Sequence, residues 1–247
     1  MSDRPSAAEP STDPSALPDR IRSVRARIQA AAVRARRDPA AVRLIAVSKG
    51  QPAPAVEAAL AEGLREFGEN YLEDALPKIH SLPAGIAWHM IGHVQSRKAK
   101  SVVENFPWIH SVDSVSLARR LSRFAAEAGR TLQVLLECNL SGEATKYGWA
   151  ASDPSAWGSL WPAWREIIAL PHLAVAGLMT MAPYSDDPET SRPVFRMVTR
   201  LQAAAREFAP GSEWAELSMG MSDDFEQAVE EGATIVRIGR ALFGARA

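Results

Sequence analysis

The chain has 247 residues, 47% hydrophobic and 23% charged, proportions of an ordinary globular protein long enough to build one large core. A formal net charge of -1 supplies no basic field for a phosphate backbone, which excludes tight, salt-sensitive nucleic-acid binding. The single cysteine, Cys138, leaves no disulfide framework and no thiolate metal cage within the chain and points to a reducing cytoplasm.

Residues 1–19 carry Pro5, Pro10, Pro14 and Pro18 and almost no large apolar side chains before Leu17, so they read as a disordered tail. They contain no apolar h-region of a signal peptide, and nowhere does an apolar run reach the roughly 20 residues that cross a bilayer. From Ile21 to Arg37, the apolar positions Ile21, Val24, Ile28 and Val33 recur at helical spacing among arginines, predicting an amphipathic helix closed by Asp38-Pro39. Short β-branched or aromatic runs then alternate with helix-like segments, the pattern of βαβ units and a parallel sheet. The runs are 43–47, 64–67, 86–91, 108–112, 133–138, 173–178, 214–217 and 234–238, with helices expected at 54–61, 71–79, 94–105, 116–128, 161–168, 193–208 and 224–230. Eight strands with intervening helices predict a single (β/α)8 TIM-type barrel domain over residues 20–247. An open doubly wound sheet is the alternative, but no G-x-G-x-x-G follows the first strand.

Active sites of such barrels gather on the face where the strands end. The first run ends Ala46-Val47-Ser48-Lys49, the second Phe67-Gly68-Glu69-Asn70, the seventh Leu217-Ser218-Met219-Gly220 and the eighth Arg237-Ile238-Gly239-Arg240. Lysine occurs five times against twenty-three arginines, and Lys49 directly follows an apolar strand. At an apolar barrel mouth an ammonium loses hydration, its pKa falls, and the amine can attack an aldehyde; the plainer reading is a lysine that ends a strand and snorkels to water. Ser218, the amides around Gly220 and the turn Ile238-Gly239-Arg240 could hold a phosphate at strands seven and eight, or the glycines could simply serve tight turns. Arg237 lies on the interior-facing parity of the last strand, where its partner is a carboxylate such as Glu137 or Glu216, or the ring nitrogen of a cofactor. His89 and His93 lack the spacing and extra ligands of a metal site, Ser48, Ser111 and Ser218 lack a G-x-S-x-G elbow, and Ser222 reads as an N-cap.

Several of these segments, in order, resemble the pyridoxal phosphate homeostasis proteins (the YggS/PROSC family), whose fold is similar to the barrel of fold-type III enzymes such as alanine racemase. They are Ala46 to Lys49, Phe67-Gly68-Glu69-Asn70-Tyr71, Trp88 to Gly92 with Gln95-Ser96, Ser141-Gly142-Glu143 with Lys146 and Gly148, Leu217 to Asp224, and Val236 to Gly244. The resemblance runs from about Ile21 to Arg246. It implies pyridoxal 5'-phosphate (PLP) as cofactor, Lys49 as Schiff-base lysine, Asn70 and Gly220 within the cofactor-binding set, Ser218 with the backbone around Gly239 and Arg240 as phosphate ligands, and Arg237 near the pyridine nitrogen. Many members carry Thr-Lys after the lysine, where this chain has Gly50-Gln51, leaving Lys146 as the candidate for any secondary, exchanging lysine. The tryptophan-rich insertion from Trp149 to Trp164 maps onto nothing in the family pattern.

Racemization needs a second acid/base on the opposite face of the substrate carbon. In alanine racemases a tyrosine of an additional β domain supplies it, and Tyr71, Tyr147 and Tyr184 have no obvious claim to replace it. The expectation is therefore a non-catalytic, cytoplasmic, monomeric PLP carrier in transient contact with apoenzymes; the alternative is a small PLP-dependent amino-acid racemase.

Overall fold

The computed structural model describes residues 16–143 and 146–244. Helix α1 (Leu17–Arg34) leads into β1 (Arg43–Val47), α2 (Ala53–Ala61), β2 (Glu66–Glu69), α3 (Leu72–Ser81), β3 (Ala87–Met90), α4 (Ala99–Asn105), β4 (Trp108–Val112), α5 (Val115–Glu127) and β5 (Leu132–Asn139). The short β6 (Trp149–Ala150), α6 (Trp161–Ile168), β7 (Leu173–Met179), α7 (Arg192–Phe208), β8 (Glu216–Ser218), α8 (Phe225–Glu230), β9 (Ile235–Ile238) and α9 (Arg240–Phe243) complete it. Eight strands pair in parallel in the order β1-β2-β3-β4-β5-β7-β8-β9, and β9 pairs back onto β1, so the sheet closes into a barrel. Closure removes both sheet edges and decides against the open doubly wound alternative.

The sheet has two cores. Outside it, one large cluster packs strand residues such as Ala46, Phe67, Ile109 and Val236 against the apolar faces of the helices. Inside it, Ile45, Leu135, Ala176, Met179 and Ile235 form a small plug beside Trp108. The period of two along each strand sends alternate side chains to these two places. Arg43 on β1, Glu66 on β2 and Glu216 on β8 sit at the N-terminal end of the barrel, with Arg43 paired to Glu66 at 2.8 Å and to Glu216 at 3.0 Å.

Among the described residues β9 is followed by a single helical turn, α9, and α1 packs across the outside of the barrel beside it. Its buried face (Leu17, Ile21, Val24, Ile28, Ala31) packs beside α8 and α9. Its arginines bind the same neighbours: Arg27 and Arg34 pair with Glu226, Arg34 also with Glu230, and Arg20 donates to the carbonyl of Leu242.

Three expectations change. Helix α1 begins at Leu17, inside the stretch read as a disordered tail, because Leu17 and Ile21 are buried; residues 1–15 of that tail lie outside the described residues. Strand β2 sits two residues later than its hydrophobicity suggested, since Leu64 belongs to the outer core whereas the buried end of the strand is Gly68-Glu69. Ser222 does not cap α8: its hydroxyl accepts instead from the amide of Ala241 at 3.1 Å, joining the β8 loop to the start of α9. The tryptophan-rich insertion becomes β6, a 3-10 turn at Pro154–Ser159 and α6, with Trp164 stacked on Trp214 and Trp161 on Phe208.

Candidate functional site

All seven sequence-derived candidates lie at the ends of four adjacent strands, β2, β1, β9 and β8. Val47 is in register with Gly68, which carries Lys49 level with Asn70 just past the strand ends. Lys49 is half-buried in a turn closed by the Gln51 amide on the Ser48 carbonyl (3.0 Å), with Gly50 at φ +70°; glycine takes that conformation without a steric penalty. On the other side of β1, Gly239 packs so closely that a Cβ there would sit 3.3 Å from the Val47 carbonyl oxygen. Gly220, at φ +90°, accepts the Arg237 amide at 3.0 Å and has no room for a side chain, since an added Cβ would meet Ala228 at 2.5 Å. Arg240 is half-exposed and ion-paired with Asp223.

Arg237 and Ser218 are brought together in the interior. One guanidinium nitrogen of Arg237 donates to Ser218 Oγ at 2.7 Å and another to the Thr180 carbonyl at 3.0 Å. Burial pulls the guanidinium down to about 10, so it remains a cation at neutral pH and can only donate. Neither carboxylate suggested by the sequence binds it: Glu216 is taken by Arg43, and Glu137 makes no hydrogen bond to it.

Behind Ser218 runs a chain of buried side chains that sequence reading missed. Ser218 Oγ lies 2.9 Å from His110 Nδ1, His110 Nε2 lies 3.0 Å from His89 Nδ1, and His89 Nε2 stands 3.3 Å from Glu66 Oε2. Burial lowers both histidines, so they are neutral near pH 7. Each neutral ring has one donor and one acceptor nitrogen. Burial would raise Glu66, but the neighbouring His89 and the hydrogen-bonded Arg43 hold it down at about 2, and this charged carboxylate, 3.3 Å from His89 Nε2 though without a well-angled hydrogen bond to it, favours the proton on that nitrogen. His110 then protonates at Nε2 and accepts from the Ser218 hydroxyl at Nδ1. Every donor thus points from Arg237 toward Glu66, and the single hydrogen of Ser218 is committed to His110. His89 alone resembled an isolated core histidine; the signal is the pairing with His110, also on the interior parity of its strand.

Of the seven candidates, Asn70 opens onto a cavity of roughly 390 Å³ past the ends of β2 and β3, walled also by Gly92, His93, Glu137, Tyr147 and Met181. His93 stacks on Tyr147 with centroids 4.0 Å apart. Asn70 Oδ1 and Glu137 Oε2 are buried here with no hydrogen-bond partner. Buried polar atoms without partners are costly, and a cavity that displays them is shaped for a polar ligand. A separate cavity of roughly 450 Å³ lies between α1 and the loops after β7, β8 and β9, lined by Val24, Tyr184, Ser222, Asp223 and Arg240. Lys146, in the loop after β5, pairs with Glu143.

Residues 20–247 match the family model described as the alanine racemase N-terminal domain. A pyridoxal phosphate homeostasis protein of Pseudomonas aeruginosa is 45% identical over 236 residues, covering 94% of this chain and 96% of that one. The protein of the same name from Escherichia coli K12 is 36% identical, covering 92% and 95%. Among solved structures, PipY of Synechococcus elongatus without PLP superposes with a TM-score of 0.81 at 38% identity, over 92% of this chain and all of that one. The same protein with PLP bound gives 0.78 at 37%. Alanine racemase from Corynebacterium glutamicum shares the fold, with a TM-score of 0.70 at 18% identity, over 94% of this chain and 61% of its own length. By its sequence and its closed barrel alike, the chain belongs to the pyridoxal phosphate homeostasis protein family.

Proposed function

We propose that this chain binds PLP as a Schiff base on Lys49 and serves intracellular PLP homeostasis, holding the cofactor and passing it to apoenzymes rather than turning over a substrate. The observation that carries the reading is the convergence, on four adjacent strand ends, of a half-buried lysine, a buried arginine and two glycine-lined close approaches, with Asn70 of the same set opening onto a cavity that displays unmatched polar atoms. The PLP-bound PipY structure and the names of the relatives support it.

PLP supplies an aldehyde that a lysine amine can capture, a ring and a phosphate. Lys49 is the amine. Arg237, charged and donor-only, suits an unprotonated ring nitrogen, which weakens the ring as an electron sink and favours holding over catalysis. For the phosphate, the residues present fit with one adjustment. The Ser218 hydroxyl is committed behind Arg237, so we assign it to positioning that guanidinium. The phosphate falls to the loop around Gly220 and Ser222 and the backbone of Gly239 and Arg240. Asn70 faces the cavity beside Lys49 and completes the set. No helix among the described residues is long and apolar enough to cross a membrane.

The test is spectral titration with PLP, followed by borohydride reduction and peptide mapping. A visible absorbance band that saturates with PLP and is fixed by reduction on Lys49 is the expected result; Lys49→Ala loses both. Absence of the band defeats the reading. Incubation of the loaded protein with L-amino acids separates the carrier from the racemase, since D-isomer formation that disappears in Lys49→Ala would establish an enzyme.

A further inference from the structure

The turn that carries Lys49 is gripped by charged side chains that nothing in the cofactor site itself calls for. Glu69, at the end of β2, is fully buried and accepts from the Ser48 hydroxyl at 2.6 Å. Lys78, on α3 and 4% exposed, donates to the Ser48 carbonyl at 2.9 Å and pairs with Glu69 at 2.7 Å and Asp74 at 3.2 Å. Asp74, one helical turn before Lys78, accepts the Gly50 amide at 2.6 Å. Three polar groups of the residues flanking Lys49 are thus held, and all three grips are tied together through the Lys78 ammonium.

We infer that Glu69, Asp74 and Lys78 form a clamp that fixes the Ser48–Gly50 turn and so aims the Lys49 amine, making them positioning residues for cofactor capture. The inference rests on the reading that Lys49 holds the cofactor. Its physical basis is cost. A buried ion network stabilises little over an apolar replacement of the same volume, because desolvation of each charge offsets the attraction. Packing α3 against β2 does not require one. What the network supplies that an apolar contact lacks is direction: a carboxylate and an ammonium each hold a particular backbone or hydroxyl group of a two-residue turn. Glycine at position 50, with its wide backbone freedom, makes such restraint necessary. A lysine side chain has four rotatable bonds, and Schiff-base formation gains from each restraint on where its root begins.

The experiment compares two ligands on the full chain. PLP can bond Lys49; pyridoxamine phosphate fills the same ring and phosphate contacts and cannot. The ratio of their affinities therefore reads the lysine's contribution alone. We expect the ratio to fall about tenfold in Lys78→Met and in Asp74→Ala, with pyridoxamine phosphate affinity unchanged. Asp74 is a third exposed, so its variant remains folded even where Lys78→Met does not. A ratio equal to wild type in folded Asp74→Ala and Lys78→Met would overturn the clamp and leave these residues as structural. Failure of the underlying reading looks different: there Lys49→Ala itself leaves the ratio unchanged.

Discussion

Glu137 is the least satisfied side chain near the site. It is 4% exposed, one carboxylate oxygen has no partner, and burial together with the nearby Asp113 pushes its pKa up to about 7, against only a partial pull down from Arg237. The unfolded chain would titrate it near 4.5, so between those values the folded protein binds the extra proton. Folding stability is then full below the lower value and falls as pH rises to about 7, by at most about 3 kcal/mol. Glu137→Gln keeps the shape and removes the charge. The variant is expected to match wild type at pH 4 and to exceed it at pH 8, as read from urea midpoints at each pH. Equal midpoints at pH 8 would show that the carboxylate finds a partner in solution. The same residue marks a limit of sequence reading: Glu137 is visible as a polar break in an apolar strand, but whether Arg237 neutralises it depends on side chains one hundred residues apart.

Among the elements, α1 is the one whose role differs most from its appearance. Its sequence shows a helix; only its packing against α8 and α9 shows that it closes the outer ring near the β9–β1 junction, where Gly239 approaches Val47. Ile21 is 1% exposed on the face turned to the barrel. Ile21→Ala should cost about 2–4 kcal/mol by deleting buried methyl groups and leaving a cavity. Because α1 packs beside α9 and the β8 loop, to which we assign the phosphate, the variant's melting temperature should rise with saturating PLP, as binding to the folded state adds stability. A loss below about 1 kcal/mol would mean the helix is not part of the cooperative fold. The strands themselves were legible wherever burial on both faces produced runs such as Leu44-Ile45-Ala46-Val47. They were misplaced by two residues where polar groups replaced apolar ones: Gly68-Glu69 reads as a turn until Lys78, on the next helix, supplies the buried partner. The strand-end positions of Lys49, Asn70, Gly220, Arg237, Gly239 and Arg240 followed from counting strands alone, whereas the Glu66-His89-His110 chain comes from three strands and has no spacing in sequence to reveal it.

Across the whole molecule, the two ends of the barrel hold different kinds of charge. The C-terminal mouth leaves polar atoms unmatched, while the N-terminal end is closed by Arg43, which pairs with Glu66 and Glu216 and lies over Trp108 at 4.7 Å. Strand ends on that lower face serve stability in barrels of this type. Arg43→Met should therefore separate folding from binding. It leaves two partly buried carboxylates short of a cation, at a cost of about 2 kcal/mol after allowing for their solvent contact. The sign follows from Glu66, whose pKa of about 2 against 4.5 unfolded means that its contribution is present above the higher value and lost as pH falls toward the lower. The difference between wild type and Arg43→Met should be largest near pH 7 and shrink below pH 4. Glu66 keeps His89 as a neighbour in the variant, so the proton order of the chain to Arg237 persists. The visible PLP band should accordingly keep its position and its midpoint in titration. A shifted or weakened band with an intact fold would show instead that the charge at the base reaches Arg237 through the two histidines, and that the barrel's lower end tunes its mouth.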